Sequence, residues 1–181
     1  NTAVYTLVGA GKTISGSALI VFDNITCNGS YTNNAYVTLT TSLKGSGSWS
    51  QGTTGTVNLR ITNANFSITT FNASAVGNTV NYSLAGNQNI RIPNDGSYHH
   101  LIISGSNTKS LIANTIVNGN LTISSGILDV NTPTIYNLTV GGNWSNTGGT
   151  FTCRTSTVTF SSNSAQTIFK SGGETFNHLI F

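Results

Sequence analysis

The chain has 181 residues, a net charge of +3, and only 6% charged residues, against roughly 25% in an ordinary globular domain. So little charge, with Val, Ile and Thr recurring throughout, excludes a charge-driven disordered chain and favours a folded β-protein. The seven Lys and Arg residues are scattered, so no basic cluster forms a footprint for nucleic acid, and no apolar run reaches the ~18 residues of a membrane span.

In chain order, alternation and turn residues predict strands over 4–8, 18–22, 35–41, 56–62, 65–70, 79–84, 88–92, 99–104, 119–124, 134–140, 156–160, 166–169 and 175–181. Gly45-Ser46-Gly47, Asn94-Asp95-Gly96 and Gly148-Gly149 read as breaks between them. No window supports an amphipathic helix. The absence of Met and of a signal peptide reads as a mature or trimmed product.

Self-comparison exposes a duplication. Thr79-Val80-Asn81-Tyr82 matches Thr157-Val158-Thr159-Phe160, and Gln88-Asn89-Ile90 matches Gln166-Thr167-Ile168. Tyr98–Ile103 matches Phe176–Phe181. All three matches share one offset, which carries 79 to 157, 88 to 166 and 98 to 176. A fourth, Asn58–Ile61 against Asn137–Val140, is displaced from that offset by a single position. The units read as an N-terminal strand, cap or exchanged segment over 1–26, a first repeat over 27–104 and a second over 105–181. A repeated unit stacks naturally on its own copy, which favours an irregular β-solenoid, or parallel β-helix, with coils of roughly 20 residues. Stacking would pair Tyr82 with Phe160 and Tyr98 with Phe176 in aromatic ladders. The alternative is a β-sandwich that exchanges a donor strand, Asn1–Ala10, between subunits.

Thr157–Phe181, TVTFSSNSAQTIFKSGGETFNHLIF, together with Asn120–Gly126 and Leu128-Asp129, resembles repeats of large secreted surface proteins of bacteria and archaea. Those repeats are similar to the parallel β-helix of filamentous-haemagglutinin-like adhesins. The resemblance implies a secreted, cell-surface or extracellular protein.

Candidate chemistry is sparse. Gly9-Ala10-Gly11-Lys12-Thr13 lacks the Gly that a phosphate loop needs at position 6, which is Thr. Asp23, Asp95, Asp129 and Glu174 are the only acids and are dispersed, so neither a paired-carboxylate enzyme nor a calcium site is expected. His99, His100 and His178 offer no third metal ligand, and His100 and His178 occupy equivalent repeat positions. No catalytic residue, metal or cofactor is expected. Cys27 and Cys153 read as a disulfide within or between subunits, or as two free buried thiols. Eight sequons, at Asn24, Asn28, Asn65, Asn72, Asn81, Asn120, Asn137 and Asn143, are candidate glycosylation sites, with Asn28 and Asn143 the most turn-like. The 24 Asn and 51 Ser plus Thr residues make about seven sequons expected by chance, so eight is no enrichment.

The expected function is therefore structural rather than enzymatic: a homo-polymerising subunit of an extracellular filament, sheath or surface layer, joined by strand pairing. Phe176, His178, Leu179, Ile180 and Phe181 form the candidate assembly edge. The competing expectations are an adhesin or stalk that binds a glycan or cell surface through Trp49, Trp144 or Tyr31, and a polysaccharide-acting β-helix enzyme.

Overall fold

The computed structural model describes residues 3–181. Its strands are β1 (Val4–Leu7), β2 (Lys12–Ile14), β3 (Leu19–Cys27), β4 (Ser30–Asn33), β5 (Tyr36–Gln51), β6 (Thr56–Leu59), β7 (Phe66–Asn72), β8 (Thr79–Tyr82), β9 (Gln88–Ile90) and β10 (His100–Ile103). They continue as β11 (Thr108–Leu111), β12 (Thr115–Val117), β13 (Leu121–Ile123), β14 (Ile127–Asp129), β15 (Leu138–Val140), β16 (Trp144–Asn146), β17 (Thr150–Thr152), β18 (Thr157–Phe160), β19 (Ile168–Lys170) and β20 (His178–Ile180). Each pairs in parallel with the strand one turn away, as in β1 on β3 and β18 on β20. The chain is a parallel β-solenoid of about eight turns. The sandwich alternative is thereby overturned, and β1, the described part of the supposed donor strand, pairs with β3 of its own chain. Asn1 and Thr2 lie outside the described residues.

One row of side chains traces every turn. Register carries Ile20 to Val37, Val57, Val80, Leu101, Leu121, Trp144 and Ile168. The six central members are fully buried. Burying each aliphatic member stabilises the fold by about 1.5–3 kcal/mol, before cavity effects. Three faces surround this core. Face one carries the start of β3 and β5, then β6, β8, β10, β13, β16 and β19. Face two carries β1, the end of β3, the middle of β5 and the start of β7, and continues as the ladder β9, β11, β14, β17. Face three carries β2, β4, the ends of β5 and β7, the bridging residue Tyr98, then β12, β15, β18 and β20.

The long strand β5 covers all three faces, so Gly45-Ser46-Gly47 bends a strand instead of ending one. Gly45 has φ +122, and a Cβ on Gly47 would collide with the carbonyl oxygen of Gly29 in the coil before. Close coil-to-coil approach at this corner requires glycine.

The duplication is real, but its copies do not stack. From Val80 on face one, the chain returns to face one at Leu101, Leu121 and Trp144. It then passes Phe151 on face two and reaches Val158 on face three. The offset between copies is therefore three and two-thirds turns, and the second copy is rotated by one face. The expected ladders of Tyr82 on Phe160 and Tyr98 on Phe176 do not form. The aromatic pairs lie inside each copy: Tyr82 meets Tyr98 at 6.4 Å and 80°, and Phe160 meets Phe176 at 6.3 Å and 82°.

The glutamines repeat as faithfully. Gln88 Nε2 donates to the carbonyls of Leu59 and Ile61, and its Oε1 accepts from the Leu84 N–H. Gln166 Nε2 donates to the carbonyls of Val140 and Gly142, and its Oε1 accepts from the Ser162 N–H. One local design, strand, glutamine-clamped loop and aromatic pair, has been laid down on two different faces.

Candidate functional site

The last coil leaves inward side chains within reach of solvent. Ile168 ends the central row at 38% exposure, although Trp144 above it is fully buried. Leu179 follows Leu138 and Val158 in the inward row of face three, and is 38% exposed while they are buried. Phe181 stacks on Phe160 at 5.7 Å and 18°, yet is 84% exposed. Phe176 is half-buried against Trp144, Phe151 and Phe160. The His178 N–H donates to the Ser156 carbonyl, so in a parallel ladder the Leu179 N–H and C=O point away from β18. The predicted edge, Phe176 and His178–Phe181, thus comes together as one apolar, strand-edged surface. His178 and Ile180 are exposed on it.

This coil is nevertheless well anchored. Glu174, whose side chain is only 2% exposed, accepts from Trp144 Nε1 at 3.0 Å and from Asn146 Nδ2 at 2.7 Å. It also pairs with Lys170 at 3.0 Å. The three aspartates are held individually. Asp95 accepts the Ala73 and Ser74 N–H groups, and Asp23 accepts from Thr40 Oγ1 at 2.8 Å. Asp129 makes a two-pronged bond with Arg154 at 2.7 Å, which holds its carboxyl below the usual carboxylate range. No cluster of three metal-ligating side chains occurs among the described residues.

The asparagines have a job that sequence reasoning missed. At the corners, each amide oxygen accepts the backbone N–H of the corresponding residue one coil on. Asn114 Oδ1 accepts from Asn137 N, and Asn137 Oδ1 from Thr157 N. Asn120 Oδ1 accepts from Asn143 N, and Asn143 Oδ1 from Thr167 N. A corner backbone N–H cannot reach the strand ladder, and these side chains satisfy it. The recurrence of Asn at one common spacing, 114 to 137 and 120 to 143, was the available signal.

The sequons divide accordingly. Asn28, Asn120, Asn137 and Asn143 are exposed and engage their neighbours through Oδ1, so a glycan on Nδ2 would leave those bonds intact. Asn24, Asn72 and Asn81 spend Nδ2 as a donor, to the Ala3 carbonyl, Ser50 Oγ and Asn58 Oδ1. Asn65 lies in the short 3-10 turn Asn63–Asn65.

His100 heads the second amide ladder. Its Nδ1 accepts the Asn120 N–H at 2.9 Å, the role an amide oxygen plays in the next coils. Nδ1 of His99 accepts the Gly77 N–H at 3.1 Å, and the two rings meet edge to face at 4.2 Å. Burial pushes both histidines below their ordinary value, and His99 lowers His100 further. Protonating Nδ1 destroys its acceptor. The unfolded chain then binds protons more readily, so the contribution is intact above about pH 6.5 and is lost as pH falls towards the folded values. The expected result is a Tm about 2–4 °C lower at pH 5 than at pH 7. His100→Asn, which restores an amide oxygen, should shrink that difference; an unchanged difference would count against the assignment.

The cysteines are both free. Cys27 is buried on an early coil with its Sγ against the Gly29 and Ser48 carbonyls, and burial pushes its thiol up. Cys153 is half-buried beyond β17, coils away, so the internal bridge is ruled out. Trp49 and Trp144 are fully buried core residues, which removes both from the sugar-stacking set. Tyr31 is half-buried, and its hydroxyl accepts the Gly9 N–H. Lys12 and Thr13 begin β2, a strand and not a phosphate loop.

One inward position carries a charge. Lys109, fully buried between Gln88 and Leu128, donates from Nζ to the carbonyls of Leu84 at 2.9 Å, Gly86 at 2.8 Å and Ser106 at 2.7 Å. Burial pushes its amine down to about 8. It clamps its loop to the coil before, as Gln88 does one turn earlier. Alternation within Thr108–Leu111 places Lys109 on the side of Leu111, which was the signal for it.

Scans of the chain against protein-family models, curated proteins and solved structures return no match.

Proposed function

We propose that this chain is a structural element of an extracellular filament, sheath or surface layer, extended by parallel strand pairing at its terminal coil. The reading rests on one observation: apolar inward rows run in parallel register from coil to coil through to Ile168 and Leu179, so a further coil would continue the same ladder. A coil laid on that surface would bury those side chains and pair the outward groups of Leu179. The first coil likewise leaves an inward aromatic, Tyr5, 38% exposed beside buried Ile25. Head-to-tail contact between these ends is heterologous and propagates as a filament. A surface rich in hydroxyls and amides, with 6% charge, allows neighbouring shafts to lie close. The resemblance of Thr157–Phe181 to repeats of secreted surface proteins supports the extracellular setting.

Electron microscopy and sedimentation of the purified chain across a concentration series test this. End-to-end filaments one solenoid wide are expected. A chain that remains monomeric at millimolar concentration and physiological salt would sink the proposal.

A further inference from the structure

A second surface lies on the outward side of face one, far from the terminal coil. A cavity of about 270 Å3 opens there, lined by Tyr36, Thr38, Asn58, Arg60 and Ser83. The strand pattern builds it. Tyr36 and Thr38 are two apart on β5, and the register places Thr56 and Asn58 of β6 beside them. Arg60 follows β6, and its N–H is held by the Leu39 carbonyl. Ser83 follows β8, and its N–H is held by the Leu59 carbonyl. The cavity therefore spans three successive coils.

Its floor is fixed. Asn58 Nδ2 donates to Thr38 Oγ1 at 3.1 Å, and Asn58 Oδ1 accepts from Asn81 Nδ2 at 3.0 Å. Asn81 Oδ1 in turn accepts from Ser104 Oγ at 2.8 Å. This amide ladder locks the Asn58 rotamer before anything binds. Ser83 Oγ is buried and has no hydrogen-bond partner among the described residues.

The walls differ in chemistry. Tyr36 is 47% exposed, and its register partner Leu19 is 51% exposed, giving an apolar platform. Arg60 is exposed and makes no ion pair or side-chain hydrogen bond among the described residues. Asp23 of β3 is engaged by Thr40. A guanidinium fork matches a carboxylate in two-pronged fashion. An aromatic ring accepts an apolar ring face while hydroxyls and amides take the polar edge. The cavity is smaller than the roughly 300–1,000 Å3 that encloses a drug-sized ligand, so it fits a single sugar-sized ring.

We propose that Tyr36, Thr38, Asn58, Arg60 and Ser83 form a binding site for an acidic sugar residue of a polysaccharide. The ring packs on Tyr36, the acid group pairs with Arg60, and ring hydroxyls meet Asn58 and Thr38, with Ser83 closing the wall. This goes beyond the structural role and does not depend on filament formation.

Calorimetric titration of the full chain with an oligogalacturonate, with its neutral methyl-ester counterpart, with a sulfated oligosaccharide and with sodium acetate tests it. Saturable binding of the oligogalacturonate is expected, with the neutral ester and acetate at least about tenfold weaker. Tighter binding of the sulfated probe would assign the acid as a sulfate and keep the site. Arg60→Gln and Tyr36→Ala, both outward positions, should each weaken binding about tenfold or more with Tm unchanged. Arg154→Gln, which removes a cation already committed to Asp129, should bind like the parent. The proposal is overturned if the acidic and neutral probes bind equally, if acetate competes as well as the sugar, if neither variant loses affinity, or if no acidic sugar binds.

Discussion

Lys109→Met is expected to destabilise the chain by about 2–4 kcal/mol, a fall in Tm of roughly 10 °C for a chain of this length. The ammonium satisfies three loop carbonyls at 2.7–2.9 Å in a site closed to solvent. Met fills the same volume without a donor, so those carbonyls are left to find water or go unpaired. Part of the loss is offset, because the ammonium no longer has to be held in a site whose burial pushes it down to about 8. The loop Leu84–Gly86 should then open ahead of the rest, visible as faster amide exchange there than in β8 or β10. A variant that melts within about 2 °C of the parent would show that the clamp is dispensable.

Leu179→Asp should abolish end-to-end assembly while leaving the single chain folded. The residue is the last in an inward row whose preceding members, Leu138 and Val158, are buried. In the isolated chain its side chain is 38% exposed, so a carboxylate there stays hydrated. Once a further coil covers it, that carboxylate must be buried without a partner, at a cost of several kcal/mol. The association constant should fall at least a hundredfold, on the order of 3 kcal/mol. Sedimentation of Leu179→Asp beside Ser164→Asp, an exposed loop control, checks this. If both variants polymerise like the parent, contacts elsewhere hold the filament.

The architecture was legible because its strands alternate. Alternation marks Val37 with Leu39, Leu59 with Ile61, and Val158 with Phe160 as inward pairs, and all six are buried. The strands that alternation does not reveal are Lys12–Ile14, Ser30–Asn33, Thr108–Leu111, Thr115–Val117, Ile127–Asp129, Trp144–Asn146, Thr150–Thr152 and the far half of β5, and apart from β5 each is too short for alternation to stand out. In some of them inward positions are also filled by polar side chains, Asn33, Lys109, Asn146 and Gln51, and each of those is paired with a neighbouring polar group. Hydropathy cannot recognise an inward amide. The duplication was visible, but its rotation was not. Offset alone fixes the spacing of copies and not the length of a turn. The turns here are uneven: the one from Leu19 to Tyr36 is much shorter than the one from Trp144 to Ile168. The tryptophans misled for a related reason. Aromatic residues serve surfaces and cores alike, and Trp144 is held inside by Glu174, which lies a full coil further along the chain.

A unit that advances three and two-thirds turns per copy has a mechanical corollary. Three such units in succession would complete eleven turns and return each feature to the side on which it began. Bulky aromatic pairs, clamped loops and any ligand-bearing motif would wind around the shaft as a slow screw. A rod built this way has no weak side: its resistance to bending is shared equally among three directions, and it offers the same chemistry to neighbours on every flank.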